Sequence, residues 1–598
     1  MGPVLGINAD PEVMPAVEID WRLNQSFWGN GGNNMKFNDM HYERPDIHGV
    51  ETNFRELLSK LSSAETLDEQ VRVIEDVNVL RNHFMSMSTL ASIRNSIDTR
   101  DDYYREEKSY FNQVNPTFES LEIEFRRAIT SSEYRKELEE TFGSQLFRIS
   151  DLAVQFFSPV IIEDLQQNNE LITEYNKLVA SAKISFDGQE LTLSQLGKYL
   201  NVPDRAVRKD AYEARYGFFA SHEEEFDDIY DRMVRVRTNM AKKLGYDNFV
   251  KMGYARMNRT DYGSAEVAAF REQVKKSIVP LAEKLRERQR IRIGVDSLHY
   301  YDNAFDFASG NPAPKGNPDW IVENGRKMYS ELSPETNEFM SFMIDNDLMD
   351  LLSKDGKRVG GYCDIIPGEK APFIFANFNG TAHDVTVLTH EAGHAFQAYC
   401  SRNYSILEYL NPTLEAAEIH SMSMEFLTWD WMHLFFEDDT AKFKFSHLSG
   451  AIGGLPYVAA VDEFQHFVYE HPEASPTDRK TAWRNIERTY LPHRNYAENE
   501  YLERGGFWHQ QLHIFNYPFY YVDYALAQIC ALQFWQKMHE NREGAWNDYL
   551  HLCRLGGTKS FVELVREANL ISPFESGCVE SVIGEIEHWL DSVNDKEL

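Results

Sequence analysis

The sequence predicts a mainly α-helical protein, and three observations carry that reading. From about residue 50 onward, apolar residues recur at helical spacing almost without a break. Helix-start signals stand ahead of several of these runs, beginning with Thr66-Leu67-Asp68-Glu69. Extended patterns are confined to two short stretches, 184–191 and 358–380. At 598 residues the chain can bury a large core and form two or more domains.

Residues 1–34 lack a helical pattern and end in an Asn/Gly tract, Gly29 to Asn34, so a mobile extension outside the fold is expected there. The capping box at Thr66 precedes Val71, Val73, Ile74, Val77 and Leu80, spaced as one helix face. Further amphipathic segments cover roughly 102–128, 131–157 and 160–182. Asp187-Gly188, flanked by alternating residues, signals a two-residue hairpin. Helices resume at Thr192, with Gln195 completing a box. The segment 221–244 has Ser221 and Glu224 at its start and Lys242, Lys243 and Gly245 at its end. A boundary near 185–205 divides an N-terminal helical domain, 35–200, from a second domain, 201–598. No internal repeat is visible.

In the second extended region Ala371-Pro372 leads into Phe373, Ile374, Phe375 and Ala376, a short strand whose proline favours its start or a sheet edge. An edge strand can hold a peptide by backbone pairing without reading its sequence. Helix 382–400 follows, capped by Thr381 or Asp384, with Val385, Leu388, Ala392, Ala395, Phe396 and Tyr399 on its apolar face. It carries His390-Glu391-Ala392-Gly393-His394. Residues four apart on a helix are separated by about 400°, so both imidazoles leave one face and can grip one Zn²⁺. Glu391 sits beside that ion, where a carboxylate can take a proton from water. Gly393 is a weak helix former that would let a neighbouring backbone come close.

A zinc site needs a third protein ligand. Asn411-Pro412 reads as the start of a helix over 412–437 that carries Glu415, Glu418 and Glu425. Glu418 lies 28 positions after His390, a usual separation in zinc peptidases, yet spacing alone prefers it only weakly over Glu415. Glu425 shares its face and is either a carboxylate that steadies a histidine ligand or a solvated charge. Glu463-x-x-His466 has the spacing of a carboxylate-bridged iron site, but no second pair accompanies it. Asp462, Glu463 and His466 are instead expected to brace the active-site helices. Arg504-Gly505-Gly506-Phe507 has the glycines of a mobile loop.

The net charge of −33 argues against nucleic acid or an anionic membrane surface as partner. Five scattered cysteines without CxxC spacing read as reduced thiols of a cytoplasmic protein. No signal-peptide pattern and no run of 18 apolar residues is present. The composition leaves the oligomeric state open.

Taken in order, Gly360-Gly361-Tyr362-Cys363, Ala371 to Gly380, His390 to His394, Glu418 to Phe426, Pro456-Tyr457 with Val461 to His466, and His513 through Pro518-Phe519-Tyr520-Tyr521 to Tyr524 resemble oligoendopeptidase F, of the thimet oligopeptidase family. The landmarks span roughly 200–590. The resemblance implies two helical masses around a deep cleft, zincin-type helices at the metal, and a small sheet beside it. It implies one Zn²⁺ per chain on His390, His394 and Glu418, with Glu391 as general base. It also implies that the strand Phe373, Ile374, Phe375 and Ala376 holds substrate backbone. Donors to the reaction oxyanion come in that family from the C-terminal segment, matching His513 and Tyr524. Tyr521 is taken as the inner tyrosine, with Tyr520 as the alternative. The implied activity is hydrolysis of internal bonds in short peptides. A metallocarboxypeptidase of related helical fold would need a dedicated basic pocket. A catalytically inactive peptide-binding protein would have no need of Glu391.

Overall fold

The computed structural model describes residues 36–598, so the expected extension at 1–34 lies outside the described residues. Helix dominates the described chain, with strand in one hairpin and one three-stranded sheet. Helix α1 (Leu67–Ile97) starts at its capping box: Thr66 Oγ1 accepts from the Glu69 N–H, and the Glu69 carboxylate accepts from the Thr66 N–H. Each bond satisfies an amide that a helix start otherwise leaves unpaired. Helix α2 (Asp102–Thr130) packs along α1, where Phe84 stacks on Phe118 with ring centroids 4.0 Å apart. The helix expected over 131–157 is two, Arg135–Phe142 and Ser144–Gln155, because Gly143 turns the chain with φ +89°. Buried Arg81 of α1 and Arg126 of α2 both reach Glu408, tying the N-terminal helices to the second half of the chain.

The hairpin forms where Asp187-Gly188 predicts it. Strands β1 (Ile184–Phe186) and β2 (Gln189–Leu191) pair antiparallel, and the two turn residues have φ +50° and +69°. Ser221 does not cap the next helix. It ends the preceding one, its hydroxyl bonded back to the Phe218 carbonyl, and His222 starts α3 (Glu223–Lys243). Three glutamates in the first turn and two lysines in the last suit the helix dipole.

Strands β3 (Met349–Leu352), β4 (Tyr362–Ile366) and β5 (Ala371–Phe378) form a sheet in the order β3-β5-β4. β5 runs parallel to β3 and antiparallel to β4. Of the two places the proline allowed, the strand start is the one found, and Phe373, Ile374, Phe375 and Ala376 lie in the central strand rather than at an edge, all four buried. An unbroken apolar run is what a strand covered on both faces requires. Pro372 sits second in the strand, opposite Ile365, and disturbs one ladder position only. The strand at the sheet edge on this side is β4.

Helix α4 (Ala382–Ser401) follows β5 directly. Of its two candidate caps, Thr381 is the N-cap residue but makes no side-chain cap bond, whereas Asp384 Oδ2 accepts from the Asn379 and Gly380 amides. Helix α5 (Leu414–Leu427) is shorter than expected at both ends: Thr413 is its N-cap, and the Thr428 hydroxyl bonds back to the Met424 and Glu425 carbonyls as the chain leaves the helix. Helices α6 (Thr440–Glu470) and α7 (Val522–Glu540) complete the surroundings, with α5 packed against both α4 and α7. On α6, Asp462 bonds to Arg271, Glu463 to Tyr490, and His466 to Tyr254, so these side chains tie α6 to flanking helices rather than to α4 or α5.

Candidate metal centre

The crossing of α4 and α5 is set by one glycine. A Cβ built on Gly393 would stand 2.6 Å from both the His420 carbonyl oxygen and Ser421 Cα, so the two helix backbones touch there. That contact faces His390 and His394 toward Glu418. His390 Nε2 lies 3.3 Å, and His394 Nε2 3.6 Å, from Glu418 Oε2. The three donor groups have atoms all within 4.8 Å of one another. A tetrahedral zinc with bonds of about 2.0–2.1 Å separates its ligands by about 3.3 Å, so two imidazoles and this carboxylate suit the ion in both kind and spacing.

Glu415, the rival of Glu418, points elsewhere. It is fully buried and accepts from the Tyr262 hydroxyl at 2.9 Å. Glu418 is held from behind by Ser421 Oγ at 3.0 Å and by the Tyr520 hydroxyl at 3.1 Å. Burial alone would raise its carboxyl pKa, but hydrogen bonds to His390 and His394 outweigh that and hold it well below the usual carboxylate range.

Glu391 follows one residue after His390. Its Oε2 is buried and has no hydrogen-bond partner, and burial pushes its pKa above the usual value. An unpaired buried carboxylate oxygen costs free energy unless a water or substrate group completes it. A Cβ on Gly361 would lie 3.5 Å from Glu391 Oε1, so the chain leading into edge strand β4 passes beside this carboxylate.

Glu425 Oε1 meets His390 Nδ1 at 2.8 Å, one of the two readings its position on the helix allowed. Its other oxygen meets His447 Nε2 at 2.7 Å. Burial would raise the Glu425 pKa, yet its two histidine partners bring it down to about 2. His447 was not singled out from the sequence, since it carries no motif and comes from α6 only through the fold. A cavity of about 380 Å³ adjoins this pair, lined among others by Thr386, Phe443, Gly450 and Gln528.

The C-terminal segment brings its aromatic side chains to the same place. His513 lies 4.7 Å from Tyr521, 5.7 Å from Tyr520 and 5.9 Å from Tyr524 between ring centroids. Only Tyr520 of the three reaches Glu418, and it is hydrogen-bonded to Tyr524. Tyr521 turns toward Tyr457 and Gln511. Tyr520, the alternative in the sequence reading, is thus the tyrosine at the carboxylate. Just before it in the chain, Phe519 has φ +66°, within the turn that precedes α7. That conformation is held by the Phe519 N–H donating to Gln465 Oε1 and by Arg259 donating to the Phe519 carbonyl.

His513 is neutral at pH 7, its pKa lowered to about 4 by burial. Gln511 Nε2 donates to its Nδ1 at 2.8 Å while the Tyr457 hydroxyl donates to Gln511 Oε1. The proton of the imidazole is therefore on Nε2, free to donate. The 504–507 stretch differs from expectation. Gly505 and Gly506 are buried, against Lys480 and Tyr501, and form a packed corner.

Known proteins share this fold. Residues 198–309 and 331–582 match the model of peptidase family M3, and residues 37–157 match that of the peptidase M3 N-terminal domain. Oligopeptidase PepF of Bacillus subtilis (strain 168) is 23% identical over 68% of this chain, which spans 61% of that relative's length. Among solved structures, PZ peptidase A with inhibitor 2 superposes with a TM-score of 0.89 at 57% identity, covering 94% of this chain and 100% of the other. The crystal structure of a putative oligoendopeptidase F from Bacillus anthracis str. Ames gives 0.85 at 52% identity, covering 95% and 100%.

Proposed function

The chain belongs to peptidase family M3 and is an oligoendopeptidase F-like peptidase, and from that premise we propose that it is a zinc-dependent oligoendopeptidase hydrolysing internal bonds of short peptides. One observation carries the proposal: His390 and His394 each bring a ring nitrogen within 3.3–3.6 Å of Glu418 Oε2, near the ligand separation of a tetrahedral zinc, beside a buried Glu391 oxygen that has no partner. His390, His394 and Glu418 would hold the ion. Zinc in such a site polarises a carbonyl as a Lewis acid and eases ionisation of water.

The side chains then have separate tasks. Glu391 Oε2 takes the proton of the attacking water and gives it to the departing amine, which general-base geometry next to His390 allows. The attack places negative charge on the former carbonyl oxygen. His513 Nε2–H and the hydroxyls of Tyr520 and Tyr524 are the donors available to that oxygen: burial keeps both phenols protonated, and the neutral His513 ring keeps its single proton on Nε2. Tyr521 supports His513 through Gln511 instead.

The substrate backbone is assigned to edge strand β4 rather than to β5, whose hydrogen-bonding positions are occupied by two neighbours. Only an extended segment can pair in that way, so folded proteins are excluded and peptides up to roughly twenty residues are the expected substrates. All five cysteines are free thiols, which supports a cytoplasmic location. No helix among the described residues is long and apolar enough to cross a membrane.

The test is digestion of a mixed peptide library with and without a zinc chelator, with fragments identified by mass spectrometry. Chelator-sensitive cleavage at internal bonds supports the proposal. Release of C-terminal residues alone would mean a carboxypeptidase, and no cleavage would mean a binding protein.

A further inference from the structure

We infer that His447 and Trp429 are positioning residues for His390, fixing through a directed chain of hydrogen bonds which of its ring nitrogens faces the metal position; the inference rests on the zinc chemistry proposed above. Indole Nε1–H donates and cannot accept. It reaches His447 Nδ1 at 3.0 Å, so Nδ1 carries the lone pair and the proton of the neutral ring is on Nε2. That Nε2–H donates to Glu425 Oε2 at 2.7 Å. An ionised carboxylate only accepts, so the proton between Glu425 Oε1 and His390 Nδ1, 2.8 Å apart, belongs to His390. With zinc bound, the lone pair of His390 Nε2 would face the ion, on the side where Glu418 Oε2 lies 3.3 Å away. The directions follow from two groups that cannot reverse: the indole N–H only donates, and the ionised Glu425 carboxylate only accepts.

Packing holds the chain in place. The His447 ring lies parallel to Phe443, 9° between planes at 5.5 Å, with Phe426 against it at 4.8 Å. Trp429 is wedged between Trp535 of α7 and Trp589 near the C-terminus, 6.1 and 5.5 Å away. These contacts fix the indole before any ligand arrives. Partners behind a metal-binding histidine orient the ring and raise its basicity, and their loss typically costs about 10–100-fold in metal affinity.

The experiment measures zinc affinity of the metal-free full chain by competition with a chromophoric chelator. It compares the unsubstituted protein with His447→Leu, His447→Gln, Trp429→Phe and His390→Ala, and records thermal unfolding of each. His447→Leu keeps apolar packing but cannot donate to Glu425, and it should bind zinc about 10–100-fold more weakly. His447→Gln keeps an N–H for Glu425 and should recover most of that loss. Trp429→Phe removes the N–H that sets the tautomer together with part of the packing on Trp535 and Trp589, and should fall between them. Equal affinity in His447→Leu and the unsubstituted protein would overturn the inference, as would a glutamine variant as weak as the leucine one. If His390→Ala binds zinc as tightly as the unsubstituted protein, the proposed metal centre is itself wrong, and the positioning role falls with it.

Discussion

Substituting Gly393 by alanine should pry open the metal centre at the contact between α4 and α5. The added Cβ would stand 2.6 Å from Ser421 Cα and from the His420 carbonyl oxygen. Carbon–carbon contacts settle at about 3.5 Å or more, so α4 and α5 must separate by about 0.9 Å. Neither contact is with a flexible side chain that can swing away, because both involve α5 backbone. The donor separations of 3.3 and 3.6 Å to Glu418 Oε2 would widen by a comparable amount, beyond what one zinc can bridge without strain. Overpacking of this kind costs about 1–3 kcal/mol in stability. Displaced metal ligands should add a loss of about 10–100-fold in zinc affinity. The assay is chelator competition on the metal-free protein, alongside urea unfolding. A G393A protein with unchanged zinc affinity would refute the claim that the backbone contact sets the ligand spacing.

Three further outcomes are expected. Glu391→Gln should keep zinc, by elemental analysis, while kcat falls by about 10²–10⁴, the range for loss of a general base; loss of zinc instead would make Glu391 a ligand. Tyr524→Phe and His513→Ala should lower kcat by about 10²–10³ with little change in KM, whereas Tyr521→Phe should lower it much less; a larger effect at Tyr521 in steady-state kinetics would reverse the assignment of the donors. Burial would raise the Glu408 carboxyl pKa, but Arg81 and Arg126 outweigh it and bring it down to about 2. A depressed carboxylate pKa stabilises the folded state above the unfolded value, and that stabilisation is lost as pH falls through the folded one. Glu408→Gln should therefore cost about 3 kcal/mol near neutral pH, and the gap from the unsubstituted protein should close between about pH 4.5 and 2. A gap that is flat across that window in urea titrations would contradict the buried pairing.

Much of the site is legible because helices translate sequence spacing into geometry. His390 and His394 share a face by arithmetic alone, and Gly393 announces close approach before the neighbour is known. Capping boxes at Thr66 and Thr192 place helix starts to the residue. What the sequence leaves open depends on partners far along the chain. Choosing Glu418 over Glu415 takes Tyr262, which draws Glu415 aside. The order of strands is invisible to local pattern, so a buried central strand passes for an edge because of one proline at its start. That Tyr520 is the tyrosine bonded to Glu418 is likewise not visible locally, since the turn before it is held at Phe519 by Arg259 and Gln465, more than fifty residues away in sequence. His447 reaches Glu425 across the short turns that join α5 to α6, a contact that no local pattern announces.

The central claim is tested most directly by anomalous diffraction at the zinc edge from crystals of the Glu391→Gln protein soaked with zinc and a short peptide. The account predicts one zinc per chain within about 2.0–2.3 Å of His390 Nε2, His394 Nε2 and Glu418 Oε2, with an uncleaved peptide lying along β4. An anomalous peak bound by Glu415 or Glu425, or no peak between α4 and α5, would contradict it.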